Sequence, residues 1–196
     1  MTATGPTTGA DDREAPMDRS VPADPHSVEL PLPDREPVFR HMDDADVPWQ
    51  RCRAQRNADG TEAYVREKWF SFSPDPQYLS LYAEYDPGMM VRRHGHYSPH
   101  IVFVIDGGLW FDDRWCPAGT HVELPFGAAF GPIRAGDDGA KLFEVMMGDP
   151  RSWGDQPEVY EAALAEHGVT PLPDPPIDFP DWLADLRTHW TGTEED

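Results

Sequence analysis

The sequence predicts an all-β fold, a sandwich or barrel of short antiparallel strands. Three observations carry this. Between Ala63 and Met147, runs rich in aromatic and β-branched residues recur at short, regular spacing. Turn-forming segments separate them: Ser73-Pro74-Asp75-Pro76, Asp86-Pro87-Gly88, Tyr97-Ser98-Pro99 and Asp106-Gly107-Gly108. No helical periodicity intervenes, which argues against a parallel α/β sheet.

The predicted strands are residues 64–72, 78–85, 89–96, 100–105 and 109–111, followed by 115–116, 121–124, 128–133 and 141–147. Ahead of them, residues 1–36 are rich in Pro, Thr, Asp and Gly and lack a hydrophobic period. Such a stretch cannot bury enough apolar surface to offset its ordering entropy, so a disordered tail is expected. Val38 and Phe39 are the first candidates for anchoring. After Gly148 the texture changes. Asp155-Gln156-Pro157-Glu158 reads as a helix start with Asp155 as the cap, and Val159, Ala162, Ala163 and Leu164 follow at helical spacing, with Gly168 as terminator. A second helix is expected from Pro180, with Trp182, Leu183, Leu186 and Trp190 on one stripe. The domain reading is a 1–36 tail, a 37–150 barrel and a 151–196 helical extension.

Composition narrows the functions. The formal net charge is −20, from 36 acidic and 16 basic residues. A chain so acidic repels phosphate backbones and anionic bilayers, so neither nucleic acid nor membrane is an expected partner. No apolar run is long enough to span a bilayer and the N-terminus is polar, so a cytoplasmic protein is expected. Cys52 and Cys116 lie far apart in sequence and read as reduced thiols.

The chemistry concentrates in Gly88–Gly107, where His94, His96 and His100 fall within seven residues. On a strand, His94 and His96 project to the same side, and His100 opens the next strand beyond a short turn. Three imidazoles converging from adjoining strands suit a divalent transition metal. The same alternation puts Met90 and Arg92 on the metal side and turns Arg93 away. Arg92 is then placed to clamp a carboxylate or enolate oxygen, or to make a salt bridge at the barrel mouth. Glu144 shares a face with Leu142 and Met146; it is a candidate fourth ligand, histidine partner or general base, or else a solvated outer residue. Tyr82, Tyr97, Trp110 and Phe130 are candidates for an apolar substrate pocket. His121 shares its face with Glu123, opposite Val122 and Leu124, and is left out of the site.

These residues resemble the cupins. The first cupin motif, G-x5-H-x-H-x3-4-E-x6-G, is matched by Gly88, His94, His96, His100 and Gly107, with His100 at the glutamate position. The second, G-x5-P-x-G-x2-H-x3-N, is matched by Gly119, Pro125 and Gly127, with Phe130 at the last histidine position and Arg134 at the asparagine. The resemblance covers residues 60–150 and implies a jelly-roll barrel, one metal per subunit and a homodimer. With Phe130 in place of a ligand, the metal would meet three neutral nitrogens. Three-histidine iron sites occur in cupin dioxygenases that cleave diketones or oxidise small thiols. The resemblance therefore implies an iron(II) dioxygenase acting on a small enolisable or aromatic molecule. A lyase, isomerase or hydrolase using zinc, manganese or nickel is the alternative, and a non-catalytic ligand-binding cupin a third reading.

Overall fold

The computed structural model describes residues 36–74 and 76–177. The chain divides into Met1–Val38 and Phe39–Asp196, and every described strand and helix lies in the second unit. The expected disordered tail, Glu36 apart, and the helix from Pro180 lie outside the described residues. Val38 and Phe39 do not anchor the chain: they are 72% and 89% exposed.

Eleven strands and one helix form among the described residues. In chain order they are β1 (Trp49–Arg56), β2 (Glu62–Pro74), β3 (Gln77–Tyr85), β4 (Met90–Val91), β5 (His94–His96), β6 (His100–Phe111), β7 (Arg114–Pro117), β8 (His121–Leu124), β9 (Ile133–Met146), β10 (Ser152–Gly154), α1 (Pro157–His167) and β11 (Thr170–Pro171). Nine strands make one antiparallel sheet in the order β11-β1-β2-β3-β9-β6-β7, with β4 on β9 and β8 on β6; β5 and β10 form a separate pair. The alternation of apolar and polar residues sets the inner face. Val65, Leu79, Leu81, Ala83, Val102, Val104, Leu142 and Met146 are all buried in one core.

Several predicted boundaries move. Residues 100–111 form one strand, because Asp106-Gly107-Gly108 is a bulge against β9 and not a turn. Gly107 has φ +66°, and a Cβ there would lie 2.1 Å from the Gly139 carbonyl oxygen, so the close approach of β6 and β9 requires glycine. The predicted 89–96 strand splits at Arg92 and Arg93. Residues 128–133 form no strand beyond a single bridge from Phe130 to His94 and the start of β9. Pro132 has no N–H to donate, and Gly131 sits at φ +93°. β1, unpredicted, hides its strand character under arginines and glutamines while burying Cys52 and Ala54. Gln156, in the left-handed region, caps α1 without a side-chain hydrogen bond. The expected cap, Asp155, instead accepts from Arg93 Nε at 2.8 Å. Gly168 terminates the helix as expected, at φ 64°.

Candidate active site

β5 brings His94 and His96 to one side of the core. It is held on one edge by β10, with Ser152 opposite His96 and Gly154 opposite His94. On the other edge, His94 and Phe130 exchange backbone hydrogen bonds of 3.0 and 2.8 Å. Gly95 makes this packing possible, since a Cβ there would fall 2.4 Å from the Trp153 ring and 2.7 Å from the Ala128 carbonyl oxygen. His100 opens β6, opposite Met146 and Leu124. The His94 and His96 ring centroids are 5.1 Å apart, those of His96 and His100 are 5.0 Å apart, and Phe130 lies 4.4 Å from His94. The three imidazoles, Phe130, Arg92 and Glu144 all line one cavity of about 70 Å³. That volume suits only a small molecule.

Burial keeps all three imidazoles neutral. His94 is held well below the usual histidine range, by burial first and then by the neighbouring His96; burial brings His96 and His100 down to about 3. His94 Nδ1 meets the Arg92 carbonyl at 2.8 Å and His96 Nδ1 the Pro150 carbonyl at 2.9 Å. A carbonyl only accepts, so each Nδ1 carries the proton and each Nε2 keeps its lone pair. His100 differs: its Nε2 lies 2.9 Å from Glu144 Oε2, while its Nδ1 is buried without a hydrogen-bond partner. Glu144 is itself buried, and burial raises its carboxyl to about 7.

Two lone-pair nitrogens fixed by backbone carbonyls, beside a third imidazole with an unpartnered buried nitrogen, suit a divalent metal in donor type. The cage is not closed, however. Among the described residues, no group of three or more His, Cys, Asp or Glu side chains is arranged to hold an ion, and His100 commits its Nε2 to Glu144.

Three expected pocket residues lie elsewhere. Tyr82 alternates with buried Leu81 and Ala83, so it points outward, where it packs edge-on against Trp49. Tyr97 is 45% exposed beside Arg151, beyond the end of β5. Trp110 packs on Trp115 and Arg134 and lines a groove against α1. Met90 also faces that groove; the strand break at Arg92 puts Val91 into the cavity instead. Arg93 turns away as expected and ties Asp155, Asp112 and the Gly131 and Ala129 carbonyls together. His121 is exposed, as expected, while Val122 and Leu124 pack on the core.

Sequence reading missed Cys52, Arg53, Glu67 and Tyr85, which complete the cavity wall. Glu67 had a signal: it continues the Ala63, Val65 face of β2, an acid on an apolar stripe. Its carboxyl is raised to about 7, by burial first and then by the charge of Glu144. The Trp69 indole N–H donates to it at 2.7 Å and opposes that rise. Cys52 and Cys116 are both free and buried, and no helix among the described residues is long and apolar enough to cross a membrane.

No protein-family model and no curated protein matches the chain in sequence. Solved structures do match in fold. A provisionally assigned acetylacetone dioxygenase from Methylibium petroleiphilum aligns with a TM-score of 0.52 at 13% identity, covering 70% of this chain and 98% of that one. An acetylacetone dioxygenase from Acinetobacter johnsonii aligns at 0.48 and 16% identity, covering 67% and 93%. A cupin-like protein from Thermotoga maritima aligns at 0.43 and 16%, covering 56% and 87%. At such identities the likeness is one of fold, and the fold is that of the cupins.

Proposed function

We propose that this cupin-fold chain is a metal-dependent enzyme, a non-haem iron(II) dioxygenase acting on a small enolisable or aromatic compound. The observation that carries this reading is the cluster of three buried, neutral imidazoles, two of them with Nδ1 pinned to backbone carbonyls. His94, His96 and His100 would hold the ion. A divalent metal bound there supplies Lewis acidity toward a substrate oxygen and, as iron(II), access to oxygen chemistry. Glu144 orients His100 through their hydrogen bond. Arg92, on the cavity wall, offers a guanidinium to an anionic substrate oxygen. Phe130 places an apolar ring where a further ligand would otherwise stand, and so leaves room for substrate beside the ion. The cavity suits a small substrate.

A second reading, a zinc, manganese or nickel enzyme that moves protons without consuming oxygen, is favoured by the two carboxyls of the cavity wall, Glu67 and Glu144. The provisional assignment of the Methylibium protein makes 1,3-diketones the first compounds to try, ahead of small thiols and hydroxylated aromatics. Oxygen uptake is to be followed with protein reconstituted separately with each metal. The dioxygenase reading expects uptake with one compound class, dependent on iron(II) and lost in His96→Ala. Conversion of a compound with zinc, manganese or nickel and no oxygen uptake would replace it with the second reading.

A further inference from the structure

Glu67 belongs to no motif and has no part in holding the three histidines, yet it lines the same cavity as they do. It sits on β2, one strand removed from β9, which carries Glu144: Glu67 pairs with Ala83 and Glu144 with Leu81 on the two sides of β3. The groups around it come from every neighbouring element. Cys52 and Arg53 stand on β1, Tyr85 on β3, Glu144 on β9, and the three histidines on β5 and β6. Arg53 donates to Asp174 and to the Cys52 carbonyl. The Trp69 indole N–H donates to Glu67 Oε2 and sets the carboxyl's orientation. Water could protonate or deprotonate an exposed glutamate; a glutamate on the wall of a 70 Å³ cavity exchanges protons with what occupies the cavity.

We propose that Glu67 is a catalytic residue of this site, the base that removes a proton from the carbon next to a carbonyl of the bound substrate. The C–H bond breaks, its electron pair moves into the carbonyl to give an enolate, and the proton goes to a Glu67 carboxylate oxygen. The substrate class is then a small carbonyl compound with an acidic α-hydrogen. Glu144, occupied by His100, is the second carboxyl; burial first, and then the charge of Glu144, raises Glu67 to about 7, a base strength matched to neutral pH. Trp69 is a positioning residue acting through Glu67. This inference rests on the reading of the three histidines as a metal site, because the enolate oxygen needs a positive partner.

The test uses the metal-loaded protein, without oxygen, and 3-methylpentane-2,4-dione as probe. Loss of its single C3 proton in deuterium oxide is followed by proton NMR. The wild-type protein is expected to accelerate exchange over buffer. Glu67→Gln should lower that acceleration at least tenfold with metal content and probe binding retained, and Glu67→Asp should restore part of it. Trp69→Phe should move the acid limb of the exchange profile to higher pH, an effect that loss of packing would not produce. In the metal-free protein, the infrared band of a protonated carboxyl near neutral pH should weaken in Glu67→Gln. Exchange at the wild-type rate in Glu67→Gln would overturn the role of Glu67 and leave the metal site standing. If wild-type protein neither binds metal nor exceeds the buffer rate, both readings fall together.

Discussion

Phe130 decides how many protein nitrogens the site can present. Its ring packs 4.4 Å from His94, and its backbone is bonded to the same histidine. Phe130→His would bring a fourth imidazole to the cluster. Tighter metal retention against a chelator is expected, together with slower turnover as an exchange position is filled. Unchanged retention would show that Phe130 only fills space. Phe130→Ala, in contrast, should cost about 3–5 kcal/mol in denaturant unfolding through the cavity it leaves. Glu144 sets a pH dependence in the metal-free protein. Its carboxyl, raised to about 7 by burial, binds a proton more tightly in the folded chain than in the unfolded one. It therefore adds stability that is complete below about pH 4.5 and lost as the pH rises through 7. His96 and His100, depressed to about 3, act oppositely and lose stability as the pH falls below 6.5. Between pH 5 and 8, Glu144→Gln should remove the alkaline-side loss, so its melting temperature should fall less than that of wild type across this range. An unchanged pH slope would contradict the buried carboxyl. At this scale the histidines were legible because their spacing matched two strands and a turn. Tyr82 and Trp110 lie outside the cavity because an aromatic residue on a strand fits either face and only the register chooses; Tyr97 lies in the turn after β5.

β5 shows how a three-residue strand can position chemistry. It sits between β10 and the Phe130 bridge, and Gly95 faces Trp153 and the Ala128 carbonyl too closely for any side chain. Gly95→Ala should force β5 and β10 apart, destabilise the protein by about 1–3 kcal/mol and reduce metal uptake. Thermal melting and metal content check the two effects separately. Full stability in the variant would mean that Trp153 can move aside. The long strands β2, β3 and β9 were readable, at least in part, from alternation. β1 was not, because arginines and glutamines interleave with its few apolar residues, and the bulge at Gly107 has the residues of a turn, because glycine serves both. The missing aspartate cap of α1 has a similar cause: the Asp155 carboxylate is drawn to Arg93 across the fold.

Across the whole molecule, one outer face bears on the proposed homodimer. Trp49, Lys68, Tyr82, Phe143, Phe103 and His121 stand in register across β1, β2, β3, β9, β6 and β8. Trp49, Phe103 and Phe143 are each at least 40% exposed. The proposed homodimer would cover such a stripe by symmetry, on the sheet and not on α1, whose one buried residue is Leu164. Light scattering should give twice the 22.1 kDa subunit mass; a single subunit mass at micromolar concentration would remove the dimer. The fold itself was legible because Gly88, Gly119 and Gly127 of the two motifs fall in the connections between strands. The cavity wall was not, because Cys52, Glu67 and Tyr85 converge only once β1, β2 and β3 pair. The claim on which the rest depends is that His94, His96 and His100 hold one divalent metal. Elemental analysis of the purified protein, wild type beside His94→Ala, His96→Ala and His100→Ala, tests it most directly. Close to one transition-metal ion per wild-type chain is expected, with most of it lost in each variant; a metal-free wild type that takes up none on reconstitution, or variants that keep the wild-type amount, would contradict it.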